Sequence, residues 1–484
     1  MVLKKKGISL SIILILCSIS ILSCTKNNKT DSFKPNVIFI SIDSLRRDHL
    51  SCYGYFRETS PNIDKLAAKG TIFENAVSTT CWTLPSHMSM FTGLYNMQHG
   101  VDDDNTNALR TGIKTMPEFM RENGYLTYGI FSGPFLHPAF GFSRGFDQYV
   151  DCSSSKDLAQ NINEIQKLTP YLSKMHFESH EDITGNKIYE AFSKWYSERD
   201  RSRPYFAFLH MWDVHYDYKP PPPYDKLYDP HYQGIMSTSF NNNPRLGPHI
   251  CTRDLEHLIA LYDGEINWTD YIIGQILDKL RKSGEIDNTM IVITSDHGEE
   301  FLEHGQFGHD NLYDELVRIP LIIYFKGTFP NKRLDYHISH IDLLPTILDI
   351  IGNTIPDYIP GLSIKRIIEE NNKKERPLLL ELTSKARNKL IKSVRAEEWK
   401  FLYDIGNSKP SFYDLKSDPD EKHSLIPLQE PVIIPDSVKD KTKISLKFYE
   451  RINNTLPHFR TEESDKPQLD SATVEHLKAL GYIN

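Results

Sequence analysis

Four side chains able to act as nucleophiles crowd one short stretch, CWTLPSHMSMFTG: Cys81, Thr83, Ser86 and Ser89. Pro85 suits the first turn of a helix, and Gly93 suits its end. A residue just ahead of Pro85 then sits at the positive end of that helix. A deprotonated oxygen is stabilised there, and an anionic substrate is attracted. Thr83 holds that place, whereas Cys81 comes a turn too early and Ser86 lies inside the helix. Threonine is also a good helix cap. This stretch alone leaves Thr83 open between nucleophile and cap.

Three further groups carry chemistry. In TSDHGEEFLEHGQFGHD, Asp296 and His297 are adjacent at the end of an apolar run. Adjacent side chains reach one cation only where the chain leaves its strand, and Gly298 permits such a turn. His304 and His309 follow in the same loop. In HMWDVHYDYKPPPPY, His210, Asp213 and His215 end a second apolar run, where a solvated loop is the competing reading. Asp43 ends a third, NVIFISID; by itself it reads as a cap or turn residue. Together, two Asp and one His make a site for one divalent ion, suited to Mn²⁺, Zn²⁺, Mg²⁺ or Ca²⁺. Such a site uses an oxygen nucleophile or water at an open position, and Thr83 is the candidate.

The elements that must position these residues follow from patterning. NVIFISID, PYFAFLHMWDVH, TMIVITSDHG and RIPLIIYF are apolar runs of the kind that form strands buried on both faces. Between them, SPNIDKLAAKG, the long stretch from Asp254 and HIDLLPTILDIIG show helical spacing. The alternation predicts an α/β fold: a doubly wound, mostly parallel sheet flanked by helices. Ligands bind off the carboxyl ends of such strands, which is where the Asp and His residues gather. We read residues 36–352 as the catalytic domain. From Asn353 the chain becomes richer in Lys, Glu and Asn, and residues 353–484 read as a smaller C-terminal α+β subdomain. Two antiparallel strands, SVRAEEWKFLYDI and SFYDLKSDPDEKHSL, and a terminal helix, SATVEHLKALGY, are expected there. Tyr218 to Gly247, rich in Pro, Tyr and Asn, reads as an ordered loop over the site.

The 484 residues carry a net charge of −8, which argues against nucleic acid as a partner. Lys4, Lys5 and Lys6 precede an apolar run from Ile8 to Leu22, which reads as a signal peptide over residues 1–23. Its end, ILSC, resembles a bacterial lipobox and makes Cys24 the expected lipidated N-terminus. An ordinary signal peptide or an uncleaved anchor is the alternative. Residues 24–35 read as a polar tether. The expectation is an exported bacterial lipoprotein, anchored to a membrane and facing the periplasm or the cell exterior. Cys52, Cys81, Cys152 and Cys251 allow three disulfide connectivities, and no zinc-type cysteine spacing is present.

With these residues in place, the chain resembles the sulfatase family of the alkaline phosphatase superfamily. The resemblance rests on PNVIFISIDSLRRDHLSCYGY, SPNIDKLAAKGTIFENAVSTTCWTLPSHMSMFTGLYNMQHGV, GEINWTDYIIGQILDKL, TSDHGEEFLEHGQFGHDNLYDELVRIPLII, SHIDLLPTILDIIG and FYDLKSDPDEKHSL, in that order. It implies an alkaline phosphatase-like domain with a small four-stranded C-terminal subdomain. It also implies metal ligation by Asp43, Asp296 and His297, and a nucleophile at Thr83, itself a ligand. His215 and His309 would contact the substrate's charged group or its leaving oxygen. His87 falls on a substrate-binding position where the family has arginine.

The departures matter as much. Sulfatases carry Cys or Ser at the nucleophile position, and that residue is oxidised to formylglycine. Thr83 cannot follow that route. Ser44 stands where a second acid is common, which favours Zn²⁺ or Mn²⁺ as the one metal ion over Mg²⁺ or Ca²⁺. Phosphoethanolamine transferases and lipoteichoic acid synthases use an unmodified threonine against phosphorus. The expectation is therefore a metal-dependent hydrolase of sulfate or phosphate/phosphonate esters on a small molecule or glycan, with phosphoesters preferred. The alternatives are a membrane-associated phosphotransferase that moves a phospho-headgroup to a glycan, and a non-catalytic anion- or glycan-binding relative.

Overall fold

The computed structural model describes residues 34–101, 108–153, 183–236, 246–371, 375–384, 388–427 and 433–454. The leader, Cys24 and the expected terminal helix after residue 470 lie outside the described residues. A unit running from Pro35 onward holds everything below. Its centre is a nine-stranded sheet. The principal strands are β1 (Asn36–Ile42), β2 (Thr71–Val77), β3 (Leu126–Phe131), β4 (Gln148–Asp151), β5 (Tyr205–Met211), β6 (Thr289–Ser295), β7 (Leu321–Tyr324) and β8 (Lys332–Ser339). They lie in the order β8-β2-β7-β6-β1-β5-β3-β4, with a two-residue strand, Arg318–Ile319, beside β2.

β1 is parallel to both neighbours, β5 and β6. Its side chains alternate between two cores. Val37 and Phe39 face one, and Ile38, Ile40 and Ile42 face the other. Burial on both faces is what an unbroken apolar strand requires. The first core packs helix α1 (Thr83–Thr92) through Leu84, Met88 and Phe91. The second packs the long helix α2 (Thr252–Ser283) through Leu258, Ile266, Ile273 and Leu277, at helical spacing. That helix stops at Gly284, whose φ of 75° needs a residue without a Cβ.

RIPLIIYF departs from its neighbours. Its strand, β7, runs antiparallel to both β2 and β6. A parallel return needs a crossover of a dozen or more residues, usually a full helix. The chain from Asp296 to Pro320 holds no full helix, only one helical turn at Asp314–Val317 beside three two-residue strands. Its length goes instead into the loop that carries His297 and His309.

The second sheet is four-stranded and antiparallel: β9 (Leu378–Ser384), β10 (Lys389–Arg395), β11 (Trp399–Asp404) and β12 (Lys409–Asp414), in that order. The two strands expected from patterning fall mainly on β11 and β12; β9 and the first half of β10 lie outside those stretches. A helix, Asp436–Asn453, follows. Ile359, Ile364 and Ile367 pack into the first core, so the chain just after residue 353 goes with the large sheet. Among the described residues, none of Cys52, Cys81, Cys152 and Cys251 is joined in a disulfide. Among the described residues, no helix is long and apolar enough to cross a membrane. Of the stretch from Tyr218 to Gly247, the described part is mostly loop, with one short turn at Tyr224–Lys226.

Candidate active site

Strand register builds the site. Ile42 lies opposite Ser295 on one side and Met211 on the other. The next residues, Asp43, Asp296 and Trp212, therefore leave the sheet side by side. Asp43 is held by its N–H donating to the Met211 carbonyl at 2.9 Å. Ser44 adopts a φ of 54°. In that pose its N–H donates to Asp296 Oδ1 at 3.0 Å, and its hydroxyl donates to Asp43 Oδ1 at 2.9 Å. Gly298 serves by close approach: a Cβ there would lie 2.0 Å from the Glu315 carbonyl.

Asp43, Asp296 and His297 offer ligand atoms within 4.8 Å of one another, all fully buried. Burial pushes the Asp43 carboxyl up to about 6. Burial, then the Asp43 charge, raises Asp296. Burial opposes the charged form of His297, but the Asp296 and Asp43 carboxylates outweigh it and hold its pKa above the usual value. Asp296 Oδ2 is buried without a hydrogen-bond partner. So are both ring nitrogens of His210, whose Nε2 lies 3.3 Å from Asp43 Oδ2. Buried carboxylates left this way are costly unless a cation joins them. The donor set therefore fits a divalent ion. His210, which the sequence marked without a role, borders this set at Asp43.

The four candidate nucleophiles separate cleanly. Cys81 is buried among Val77, Leu312, Leu316 and Leu378, in an apolar cluster. Ser86 donates to the Asp296 carbonyl at 2.8 Å and lies 3.1 Å from His340. Ser89 is taken up by Thr79, Asn96 and His99. Thr83 alone of the four meets the acid cluster. It is the first residue of α1, and the cap position before it is Trp82, which makes no side-chain capping bond. Thr83 Oγ1 donates to Asp43 Oδ2 at 3.5 Å and lies 3.4 Å from His297 Nε2. It is 2% exposed. In the first helical turn Pro85 has no N–H and the Ser86 N–H donates to the Trp82 carbonyl at 3.1 Å, so the positive end of α1 is carried by the N–H groups of Thr83 and Leu84.

His215 and His309 come together over this cluster, 3% and 5% exposed. Their rings are 5.4 Å apart, and the His309 ring lies 4.4 Å from that of His297. Trp212 stacks on His215 at 4.0 Å, and Trp82 flanks His309 at 5.4 Å. His215 Nδ1 donates to the Tyr216 carbonyl at 2.7 Å. His309 Nδ1 lies 3.1 Å from Glu299 Oε1, and burial raises the Glu299 carboxyl to about 8. Glu299, Trp82 and Trp212 carried no sequence signal of a role beyond proximity to a marked residue.

Three expectations need correction. His87 does not face a substrate. It is fully buried; its Nδ1 donates to the Thr83 carbonyl and its Nε2 accepts from Ser41, each at 2.8 Å. Burial drives its pKa down to about 3, so it is a neutral brace beneath Thr83. His304 points away from the site, to Glu315 at 2.6 Å and the Glu421 carbonyl at 3.3 Å. Asp213 holds the start of helix Gly185–Glu198, accepting from the N–H groups of Thr184 and Gly185 and from Trp268.

Comparison with known proteins identifies the family and the fold. The sulfatase family model matches residues 35–353. The model for the C-terminal part of N-sulphoglucosamine sulphohydrolase matches residues 302–445. The chain is 24% identical to an N-acetylglucosamine-6-O-sulfatase of Bacteroides thetaiotaomicron, over 86% of this chain and 87% of that protein. A protein solved in complex with its substrate D-glucosamine-2-N,6-O-disulfate superposes with a TM-score of 0.71 at 19% identity, covering 89% of this chain and 100% of the other. A phosphonate monoester hydrolase of Agrobacterium radiobacter gives 0.69 at 21% identity, covering 88% and 96%.

Proposed function

This chain belongs to the sulfatase family, and from that premise we propose that it is a metal-dependent ester hydrolase whose nucleophile is the unmodified hydroxyl of Thr83, with phosphoesters or phosphonates preferred over sulfate esters. One observation carries the reading: Thr83, the first residue of α1, turns its hydroxyl toward Asp43 and His297. A second supports it, since Cys81 is packed into an apolar cluster.

Asp43, Asp296 and His297 would hold the ion, with Thr83 as a fourth contact. When bound, a divalent ion supplies Lewis acidity that favours ionisation of a hydroxyl and offsets charge on the substrate. The protein's own groups do the rest. The hydroxyl proton of Thr83 has an acceptor in Asp43 Oδ2. The helix start and the histidines receive the anionic oxygens of the ester. As the Oγ1–phosphorus bond forms, the opposite phosphorus–oxygen bond breaks, and the leaving alkoxide takes a proton from His215 or His309. Water then gives a proton to that histidine and attacks the phosphothreonine, the bond to Oγ1 breaks, and Thr83 recovers its proton from Asp43. Trp212, Trp82 and Tyr216 wall the site, and such aromatic walls suit a sugar or aryl leaving group. The relative named for N-acetylglucosamine-6-O-sulfate makes glycan esters the first natural class to test.

The test is a substrate panel. The chain lacking residues 1–24, given Zn²⁺, Mn²⁺, Mg²⁺ or Ca²⁺ in turn, is expected to turn over aryl phosphodiesters, phosphates or phosphonates faster than aryl sulfate. Turnover of sulfate alone would remove the preference for phosphorus. The leader supports a membrane-anchored, exported location. Cys24→Ser in the full chain is expected to move the protein from the membrane fraction to the soluble fraction of its host. Unchanged fractionation refutes lipidation at Cys24.

A further inference from the structure

The loop that carries His309 is fastened from behind by the C-terminal sheet. Lys400, on β11 and fully buried, donates to the Leu312 carbonyl at 2.9 Å and to the carboxylates of Glu421 and Asp314, each at 2.8 Å. Arg395, on β10 and also buried, grips the Asp314 carboxylate with two nitrogens at 2.9 and 2.8 Å. Glu421 accepts from the Asp314 N–H at 2.6 Å. Lys389 reaches the Asp310 carbonyl at 3.3 Å and its carboxylate at 3.4 Å. Three basic side chains of one sheet thus tie down Asp310, Leu312 and Asp314, the residues that follow His309 directly.

Burial opposes the ionised form of Asp314, yet Arg395 and Lys400 outweigh it and hold the carboxyl well below its ordinary range. A buried ionic network gains little stability over apolar packing of the same volume, because desolvation offsets the attraction. What a satisfied network does supply is a single geometry.

We infer that Lys400 is a positioning residue: with Arg395 and Lys389 it fixes the 309–314 loop and so places His309 beside His297 and Trp82. This rests on the reading of His309 as a group that meets the substrate.

A double-mutant cycle separates positioning from general support of the fold. Lys400→Met is expected to lower kcat about tenfold or more with a much smaller change in KM. In a His309→Ala background the same change is expected to cost less than about twofold, because the residue it places is gone. Equal losses in both backgrounds, or wild-type kcat in Lys400→Met alone, overturn the inference. Wild-type turnover by His309→Ala alone instead removes the role given to His309, and the inference with it. Lys389→Met, at a partly exposed position, runs through the same cycle and decides the matter if Lys400→Met does not fold.

Discussion

Thr83→Ala is expected to lower kcat/KM on the best phosphorus ester by on the order of 10⁴-fold or more, with little change in melting temperature. The two readouts oppose each other by design. A capping threonine replaced by alanine costs about 1 kcal/mol of stability and leaves chemistry alone. In this protein the cap position is Trp82, not Thr83, and the Thr83 hydroxyl faces Asp43 and His297, so the stability term is small. Among the described residues, the close polar neighbours of that hydroxyl are the Asp43 carboxylate and His297, so the substitution removes the proposed attacking atom and little else. Thr83→Ser keeps the hydroxyl and is expected to retain turnover within about 100-fold of wild type. Mass spectrometry of the wild-type protein quenched during turnover is expected to find a phosphoryl group on Thr83. An active Thr83→Ala protein would reduce Thr83 to an element of the helix start.

Asp296→Asn is expected to weaken divalent-ion binding by at least about 100-fold, the upper end of what changes to groups that only orient a ligand cost. The substitution is chosen for what it preserves. Asp296 Oδ1 accepts from the N–H groups of Ser44 and His297, at 3.0 and 2.8 Å, and the asparagine carbonyl can accept both. Only the charge and the unpartnered Oδ2 are lost. Isothermal titration with Zn²⁺ and Mn²⁺ reads the affinity. Stability gives a second, oppositely signed readout. Without metal, Asp296 is a buried acid whose charged form is disfavoured, first by burial and then by Asp43. Replacing it with a neutral amide is therefore expected to leave the metal-free melting temperature unchanged or raised. With saturating ion, the wild type gains stability by mass action and the variant does not. Equal ion affinities in the two proteins would show that Asp296 is not a ligand.

The parts legible in the sequence are those with local causes. NVIFISID and TMIVITSDHG announce buried strands because a strand covered on both faces must be apolar along its whole length. The carboxylates at their ends stand where the chain leaves the sheet, so Asp43, Asp296 and His297 could be marked without coordinates. Pro85 and Gly93 bracket a helix and put Thr83 at its start. The sulfatase-like motifs carried the rest of that outline, including the four-stranded C-terminal sheet.

What the tertiary structure alone decided is where side chains of similar type point. His87, His215, His304 and His309 are alike in sequence, each a histidine near a marked loop or helix. Packing makes the first a neutral brace under Thr83, ties the third to Glu315, and brings only the second and fourth over the acid cluster. Cys81 and Thr83 are two residues apart, yet one enters an apolar cluster and the other meets the Asp43 carboxylate and His297. These outcomes depend on the register that sets Ile42 opposite Ser295, strands more than 240 residues apart in the chain, and on the reversal of β7 that frees a long loop for His309. Hydrophobic period reports which face of a strand is buried. It carries no record of which distant strand lies alongside, and a catalytic cluster exists only once that neighbour is chosen.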